Sequence, residues 1–300
     1  MGTGHADYNT PQRPPRLLVR PPVSSWPAGT VSTAARNLDQ VLAQELQDFL
    51  RELVSIAAAA SLPYFRQTVA IDNKNADGFD PVTVADRETE DALRRAIERR
   101  FPEHGIIGEE RPPHRPDARY QWVIDPIDGT RAFICGLPTW ATLVGVCDGG
   151  VPAFGLMSQP VVGEYFIGGG GTSINTYRDR ETVLATSEVV ELAQSSLFAT
   201  SPTMFAEHEA ANRFGALSGH VRLTRYGVDS YAYCLLAAGH VEIVAEAGLG
   251  FYDIAALIPI IEAAGGTVTD WAGQPVRGGG TVVAAANPAL HARALELLAG

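Results

Sequence analysis

The sequence predicts a mixed α/β protein, with an α+β first half and an α/β second half. Three observations lead there. An apolar pattern at helical spacing follows a polar N-terminal stretch, short strand-like segments split by Gly and Pro fill the middle, and strands alternate with helices from about residue 188. No segment repeats internally.

Residues 1–36 are rich in Pro, Arg, Ser and Thr and read as a disordered basic tail. Leu38, Val41, Leu42, Leu46, Phe49, Leu50 and Leu53 then recur at helical spacing, so a helix is expected from Leu38 to about Phe65. DPVTVADRETEDALRRAIERRF opens with Pro81 and Thr83 and continues as a second amphipathic helix, with Leu93 and Ile97 on one face. Residues 106–107, 121–125, 141–148, 152–157 and 164–168 read as short strands, and FIGGGGTS as a turn. Beyond it, SSLFAT, VRLTRYG, VEIVAEA and TVTDW are strands. They alternate with the helices AEHEAANRFGAL, SYAYCLLAAGH and DIAALIPIIEAAGG. A last strand (281–286) and helix (288–298) close the chain. The expected division is a metal-binding half over 37–185 and a substrate-binding half over 186–300.

Composition narrows the function classes. The chain is 46% hydrophobic and 19% charged, ordinary for a globular protein. Its net charge is −11; the first 36 residues hold four Arg and one acid, which leaves 19 basic and 33 acidic side chains, or −14, in the remainder. Such a surface argues against nucleic-acid binding and permits a site that gathers divalent cations. No apolar run approaches the ~20 residues that span a bilayer, and no secretory h-region opens the chain. Cys135, Cys147 and Cys234 have no metal-type spacing and read as reduced thiols of a cytosolic protein.

The acids that fall at element ends point to chemistry. Glu109 and Glu110 follow GIIG, Asp125 and Asp128 end the next strand in IDPIDGTRAF, and Asp86 and Asp253 each begin a helix. Element ends are where active sites of mixed α/β folds form. Carboxylates are hard oxygen ligands that suit Mg²⁺, with water and a substrate phosphate completing the shell. Pro126 fixes φ between the two aspartates, the Ile127 carbonyl offers a further oxygen, and Gly129 and Thr130 follow where a backbone can approach an anion. Together these favour metal-assisted phosphoryl chemistry. Each piece also has an ordinary use. Asp128-Gly129 suits a turn, Asp253 an N-cap, Gly265-Gly266 a C-cap, Asp86 a cap or solvated face, and the GEE stretch a pair of exposed acids.

The order of these motifs resembles that of the inositol monophosphatase family. GEE (108–110), WVIDPIDGTRAF (122–133) and YDIAALIPIIEAAGG (252–266) are similar to its three signatures, and DPVTVAD (80–86) to its upstream acidic segment. The resemblance covers roughly residues 38–298 and is strongest to the histidinol-phosphatase branch. Tyr252, where many members have Trp, agrees with that branch. The resemblance implies a layered α-β-α-β-α sandwich and an Mg²⁺-dependent phosphatase, commonly a homodimer. Histidinol-phosphatases hydrolyse L-histidinol phosphate in histidine biosynthesis. It also implies that Glu109, Asp125 and the Ile127 carbonyl bind a first Mg²⁺, that Asp125, Asp128 and Asp253 bind a second, and that Asp86 and Glu109 hold a third partly through water. Gly129 and Thr130 would contact phosphate, Thr130 and Glu109 would orient the attacking water, and Ser201, Asp229 and Glu246 would face the leaving group. No phosphoenzyme is implied, and the D-x-x-D spacing disfavours a nucleophilic-aspartate phosphatase. An inositol-1-monophosphatase, another small phosphate monoesterase, or a non-catalytic metal- or phosphate-binding regulator on the same fold are the competing readings.

Overall fold

A computed structural model describes residues 40–68, 70–73, 81–205 and 208–299; the tail expected over 1–36 lies outside the described residues. Helices α1 (Gln40–Ser61) and α2 (Val84–Arg100) form the first layer. Their apolar stripes, Leu46, Phe49, Leu50 and Leu53 with Leu93 and Ile97, are buried against Ile106, Trp122, Val144 and Phe154. Burial of one such side chain stabilises by roughly 1.5–3 kcal/mol, which exceeds what helix propensity alone supplies. A short antiparallel pair, β1 (Ile71–Asn73) and β2 (Pro81–Thr83), leads into α2.

The second layer is a seven-stranded sheet. Its strands are β3 (Gly105–Gly108), β4 (Tyr120–Asp128), β5 (Ala141–Asp148), β6 (Val151–Gln159), β7 (Glu164–Gly169), β8 (Thr172–Tyr177) and β9 (Arg180–Val183), side by side in chain order. Only β3 and β4 are parallel. A short helix α3 (Thr130–Ile134) follows β4. The stretch read as a turn around FIGGGGTS is narrower in the structure. Gly168 and Gly169 end β7, Gly170 and Gly171 turn, and β8 and β9 follow as two strands the sequence pattern does not announce. The β8–β9 hairpin turns at Arg178 and Asp179, both with positive φ (50° and 62°). Such turns usually show Asn-Gly or Asp-Gly, so Arg-Asp gives no signal.

The rest of the chain builds three further layers. Its elements are β10 (Ser196–Ala199), α4 (His208–Ser218), β11 (Leu223–Tyr226), α5 (Tyr231–Ala237), β12 (Ile243–Leu249), α6 (Phe251–Ile254), α7 (Leu257–Ala263), β13 (Thr267–Thr269), β14 (Gly280–Ala285) and α8 (Pro288–Leu298). The second sheet has the order β11-β10-β12-β14-β13, with β10 parallel to both neighbours. α5 and α7 fill the space between the sheets, where Leu143, Met157 and Phe166 meet Leu236, Leu257 and Ile260, backed by Val244 and Val282. α4 and α8 cover the outer face through Phe214, Leu217, Leu290 and Leu298. The α-β-α-β-α sandwich implied by the resemblance is the observed fold.

One helix expected over 253–266 is two segments, α6 and α7, separated at Ala255 and Ala256. Pro259 has no N–H to close a turn on the Ala255 carbonyl, so a continuous helix would be broken there. The two segments lie directly on the large sheet. Gly145, Gly155 and Gly168 are register neighbours across β5, β6 and β7. A Cβ at Gly155 would overlap the Ala256 carbonyl, one at Gly168 the Ile260 backbone, and one at Gly145 would stand 3.1 Å from Ala255. Backbone seated on backbone fixes the height at which α6 presents Asp253.

Candidate active site

Asp125 and Asp128 raise a geometric problem, because residues three apart on a regular strand point to opposite faces. The structure resolves it with a bulge. Asp125 pairs with Leu143 and Asp128 with Ala141, so three steps on β4 oppose two on β5. The extra residue returns Asp128 to the side of Asp125. Pro126 lies inside the bulge, where no ladder donor is needed, and its carbonyl accepts from the Thr142 hydroxyl at 2.8 Å.

Other elements deliver the remaining acids. Parallel pairing sets Gly108 opposite Ile124, and the Glu109 amide donates to the Ile124 carbonyl at 3.1 Å, which brings Glu109 beside Asp125. Asp253 accepts from the Gly250 amide at 2.6 Å on α6. Carboxylate oxygens of Asp125, Asp128 and Asp253 lie within 4.8 Å of one another. Asp86 is buried and caps its own helix, with Oδ2 accepting from the Thr83 amide (2.8 Å) and hydroxyl (2.7 Å). Its Oδ1 faces the Thr130 hydroxyl at 3.4 Å, and that hydroxyl is also 3.1 Å from the Ile127 carbonyl.

Electrostatics single out this cluster. Burial, then the charges of Glu109, Asp128, Asp253 and Asp86, push the Asp125 carboxyl well above the usual carboxylate range. Burial and the charges of Glu109 and Asp128 do the same to Asp253. Burial also raises Asp128, against the Ser230 amide, which donates to Oδ2 at 2.9 Å. One oxygen of Asp125, Oδ1, is buried without a hydrogen-bond partner. An orphaned carboxylate oxygen among mutually repelling acids fits a hard divalent cation.

The second flank comes from the smaller sheet. The parallel strands β10, β11 and β12 end on one side, where α/β sheets form their sites. Asp229 follows β11 in the left-handed region (φ 47°) and lies against Gly129, where a Cβ would come within 2.9 Å of Asp229 Oδ2. Gly129 itself has φ 77°, a conformation in which other residues are strained. Burial, then the charges of Asp128 and Glu246, push Asp229 up to about 8, while Arg131 opposes the shift. Glu246 is buried, and its oxygens are taken up internally. Oε1 accepts from the Thr200 amide and hydroxyl, both at 2.7 Å, and Oε2 from the Tyr233 hydroxyl at 3.0 Å. The Ser201 hydroxyl is engaged within its own turn by Thr203 at 2.7 Å.

Sequence reasoning offered Asp86 as a cap and named Thr83 at the helix start, but passed over the other residues that hold these acids in place. Thr83 and Asp86 have the spacing of a capping box, a readable signal. Glu90, one turn after Asp86 and fully buried, accepts from the Glu110 amide at 2.7 Å and the Arg111 amide at 3.2 Å. Its place on the Asp86 face was the available hint. The Ser230 amide, Thr200 and Tyr233 had none, since their partners lie far away in the chain.

Comparison with known proteins identifies the family and the fold. The model of the inositol monophosphatase family matches residues 42–299. A chloroplastic bifunctional phosphatase of Arabidopsis thaliana is 41% identical over 246 residues, 78% of this chain and 69% of that protein. A histidinol-phosphatase of Mycobacterium tuberculosis is 35% identical, with 87% and 97% covered. The solved structure of an inositol monophosphatase from Zymomonas mobilis superposes with a TM-score of 0.76 at 38% identity, over 86% of this chain and 98% of that one.

Proposed function

The chain belongs to the inositol monophosphatase family and is a phosphatase of that kind; we propose that its substrate is L-histidinol phosphate and its cofactor Mg²⁺. The family is metal-dependent, and the acid cluster fits that chemistry. In this reading Glu109, Asp125 and the Ile127 carbonyl hold one ion, Asp125, Asp128 and Asp253 a second, and Asp86 with Glu109 a third. Bound Mg²⁺ supplies Lewis acidity that activates water and stabilises the leaving alkoxide. The chain's own groups do the rest. The Gly129 and Thr130 backbone receives the phosphate, and the Thr130 hydroxyl with the Glu109 carboxylate aligns a water for in-line attack. Ser201, Asp229 and Glu246 line the leaving-group side.

The observation behind the substrate choice is Asp229, a half-buried carboxylate set against Gly129. Histidinol phosphate carries an ammonium and an imidazole, and a cation there would offset the burial and the repulsion that raise Asp229. Histidinol-phosphatases from three organisms, 31–35% identical, support the same choice. Inositol 1-phosphate is the second reading, favoured by the likeness to the Zymomonas mobilis structure. The proposal includes a cytosolic homodimer. Its three cysteines are free, and no helix among the described residues is long and apolar enough to cross a membrane. Phosphate release from L-histidinol phosphate and inositol 1-phosphate, measured side by side with and without Mg²⁺, tests it. Faster turnover of the inositol ester would overturn the substrate assignment, and equal rates in EDTA the cofactor.

A further inference from the structure

Helix α2 does more than supply Asp86. Glu90, one turn further along, has no exposed surface, and its carboxylate accepts from three donors. Oε2 accepts from the Glu110 amide at 2.7 Å. Oε1 accepts from the Arg111 amide at 3.2 Å and from Arg94 Nε at 2.7 Å. Arg94 reaches on to the Arg111 carbonyl at 3.2 Å, and Arg111 forks onto Asp91 at 2.7 and 2.9 Å. Three side chains on two consecutive turns of one helix, Glu90, Asp91 and Arg94, therefore grip the two residues that follow Glu109. The near side is equally tight, because a Cβ at Gly108 would overlap the Glu90 carboxylate. Glu109 is thus flanked on both sides by backbone laid against one buried carboxylate.

We propose that Glu90 is a positioning residue. It fixes the 108–111 loop so that the Glu109 carboxylate is already aimed at the acid cluster before a cation arrives. The inference rests on the reading of Glu109 as a metal ligand. A carboxylate is required and an amide cannot replace it. Glutamine at this place would turn its NH₂ toward at least one backbone N–H or the Arg94 guanidinium, since all three partners donate. The bland alternative is a buried ion pair that only ties α2 to the sheet. It predicts lost stability with unchanged metal affinity.

The test is Mg²⁺ titration calorimetry on the purified full chain, for wild type, Glu90→Gln and Glu109→Gln, beside steady-state kinetics. Outer partners of metal ligands typically change affinity by 10–100-fold. Glu90→Gln is expected to raise the Mg²⁺ Kd about 10-fold, at the low end of that range. The Mg²⁺ concentration for half-maximal rate should rise in parallel, with kcat at saturating Mg²⁺ and KM for the ester little changed. Amide exchange at Glu110 and Arg111 should speed up in metal-free Glu90→Gln. If Glu90→Gln does not fold, Glu90→Asp, which keeps four acceptor sites on a shorter stem, is expected to bind Mg²⁺ more weakly while melting as a folded protein. An unchanged Kd in Glu90→Gln or Glu90→Asp, with Glu109→Gln weakened, overturns the positioning role alone. An unchanged Kd in Glu109→Gln overturns the metal reading beneath it.

Discussion

Asp125 on β4 and Glu246 on β12 are each 2% exposed, and the two regions treat that burial in opposite ways. Around Glu246 three donors come from Thr200, just past β10, and from Tyr233 on α5. Around Asp125 no donor reaches Oδ1, and Glu109, Asp128, Asp253 and Asp86 bring four other acids nearby. Burying an ionised group costs several kcal/mol unless it is paired or hydrogen-bonded. Thr200 and Tyr233 offset part of that cost at Glu246, whereas Asp125 Oδ1 has no donor among the described residues.

The strongest test of the contrast is Asp125→Asn. The amide brings its own donor and removes one repelling charge, so the metal-free protein should melt higher than wild type. Turnover should fall by on the order of 10³-fold or more, as when a preorganised electrostatic stabiliser is lost, and Mg²⁺ should no longer raise the melting temperature. Near-wild-type kcat at saturating Mg²⁺ would remove Asp125 from the proposed metal set.

Asp229→Ala separates recognition from structure on the second flank. A charge-assisted hydrogen bond is worth roughly 1.5–3 kcal/mol, so kcat/KM for histidinol phosphate should drop about 10- to 150-fold. Glycerol 2-phosphate, which has no cation, should be hydrolysed nearly as before. Equal losses on both esters would make Asp229 a structural residue beside Gly129 and favour the inositol reading.

Glu246→Ala should be mainly a stability change, about 2–3 kcal/mol, because the Thr200 and Tyr233 donors stay buried without a partner. Glu246→Gln can still accept from Thr200 and donate to Tyr233, and should cost less than about 1 kcal/mol. Denaturant melts of both variants check this. An unchanged KM for histidinol phosphate in a stable Glu246→Gln would remove this carboxylate from the leaving-group lining.

The smallest effect is on pH. Burial first, then neighbouring acids, hold Asp229 up to about 8, and burial holds Glu246 up to about 7. Both folded values lie above those of an unfolded chain, near ~4. Their contribution to stability is present below pH ~4 and is lost as pH rises through 7 and 8. Melting temperature in EDTA should therefore fall between pH 5 and 8, and Mg²⁺ should restore it while displacing protons. A melting temperature in EDTA that rises over this interval would contradict the raised values.

The sequence by itself determined a good deal. Helical periodicity in α1 and α2, the strands from β3 to β7, and the alternation after residue 188 are local signals, because the 3.6- and 2-residue periods are written in adjacent residues. The acids Glu109, Asp125, Asp128 and Asp253 were legible for the same reason, each tied to a nearby Gly or Pro. Only the tertiary structure decided how they meet. The bulge that turns Asp128 toward Asp125 exists in the register with β5, not in either residue. The Arg178-Asp179 hairpin is imposed by sheet pairing against weak turn chemistry, and the height of α6 above the sheet is set where backbone rests on Gly145 and Gly155. Glu246 and Asp125 look alike in one dimension, and what tells them apart is the supply of donors from residues up to 46 positions away. Hydrogen bonds and charges act through space over a few ångströms, and chain order carries no record of which distant groups will lie within that reach.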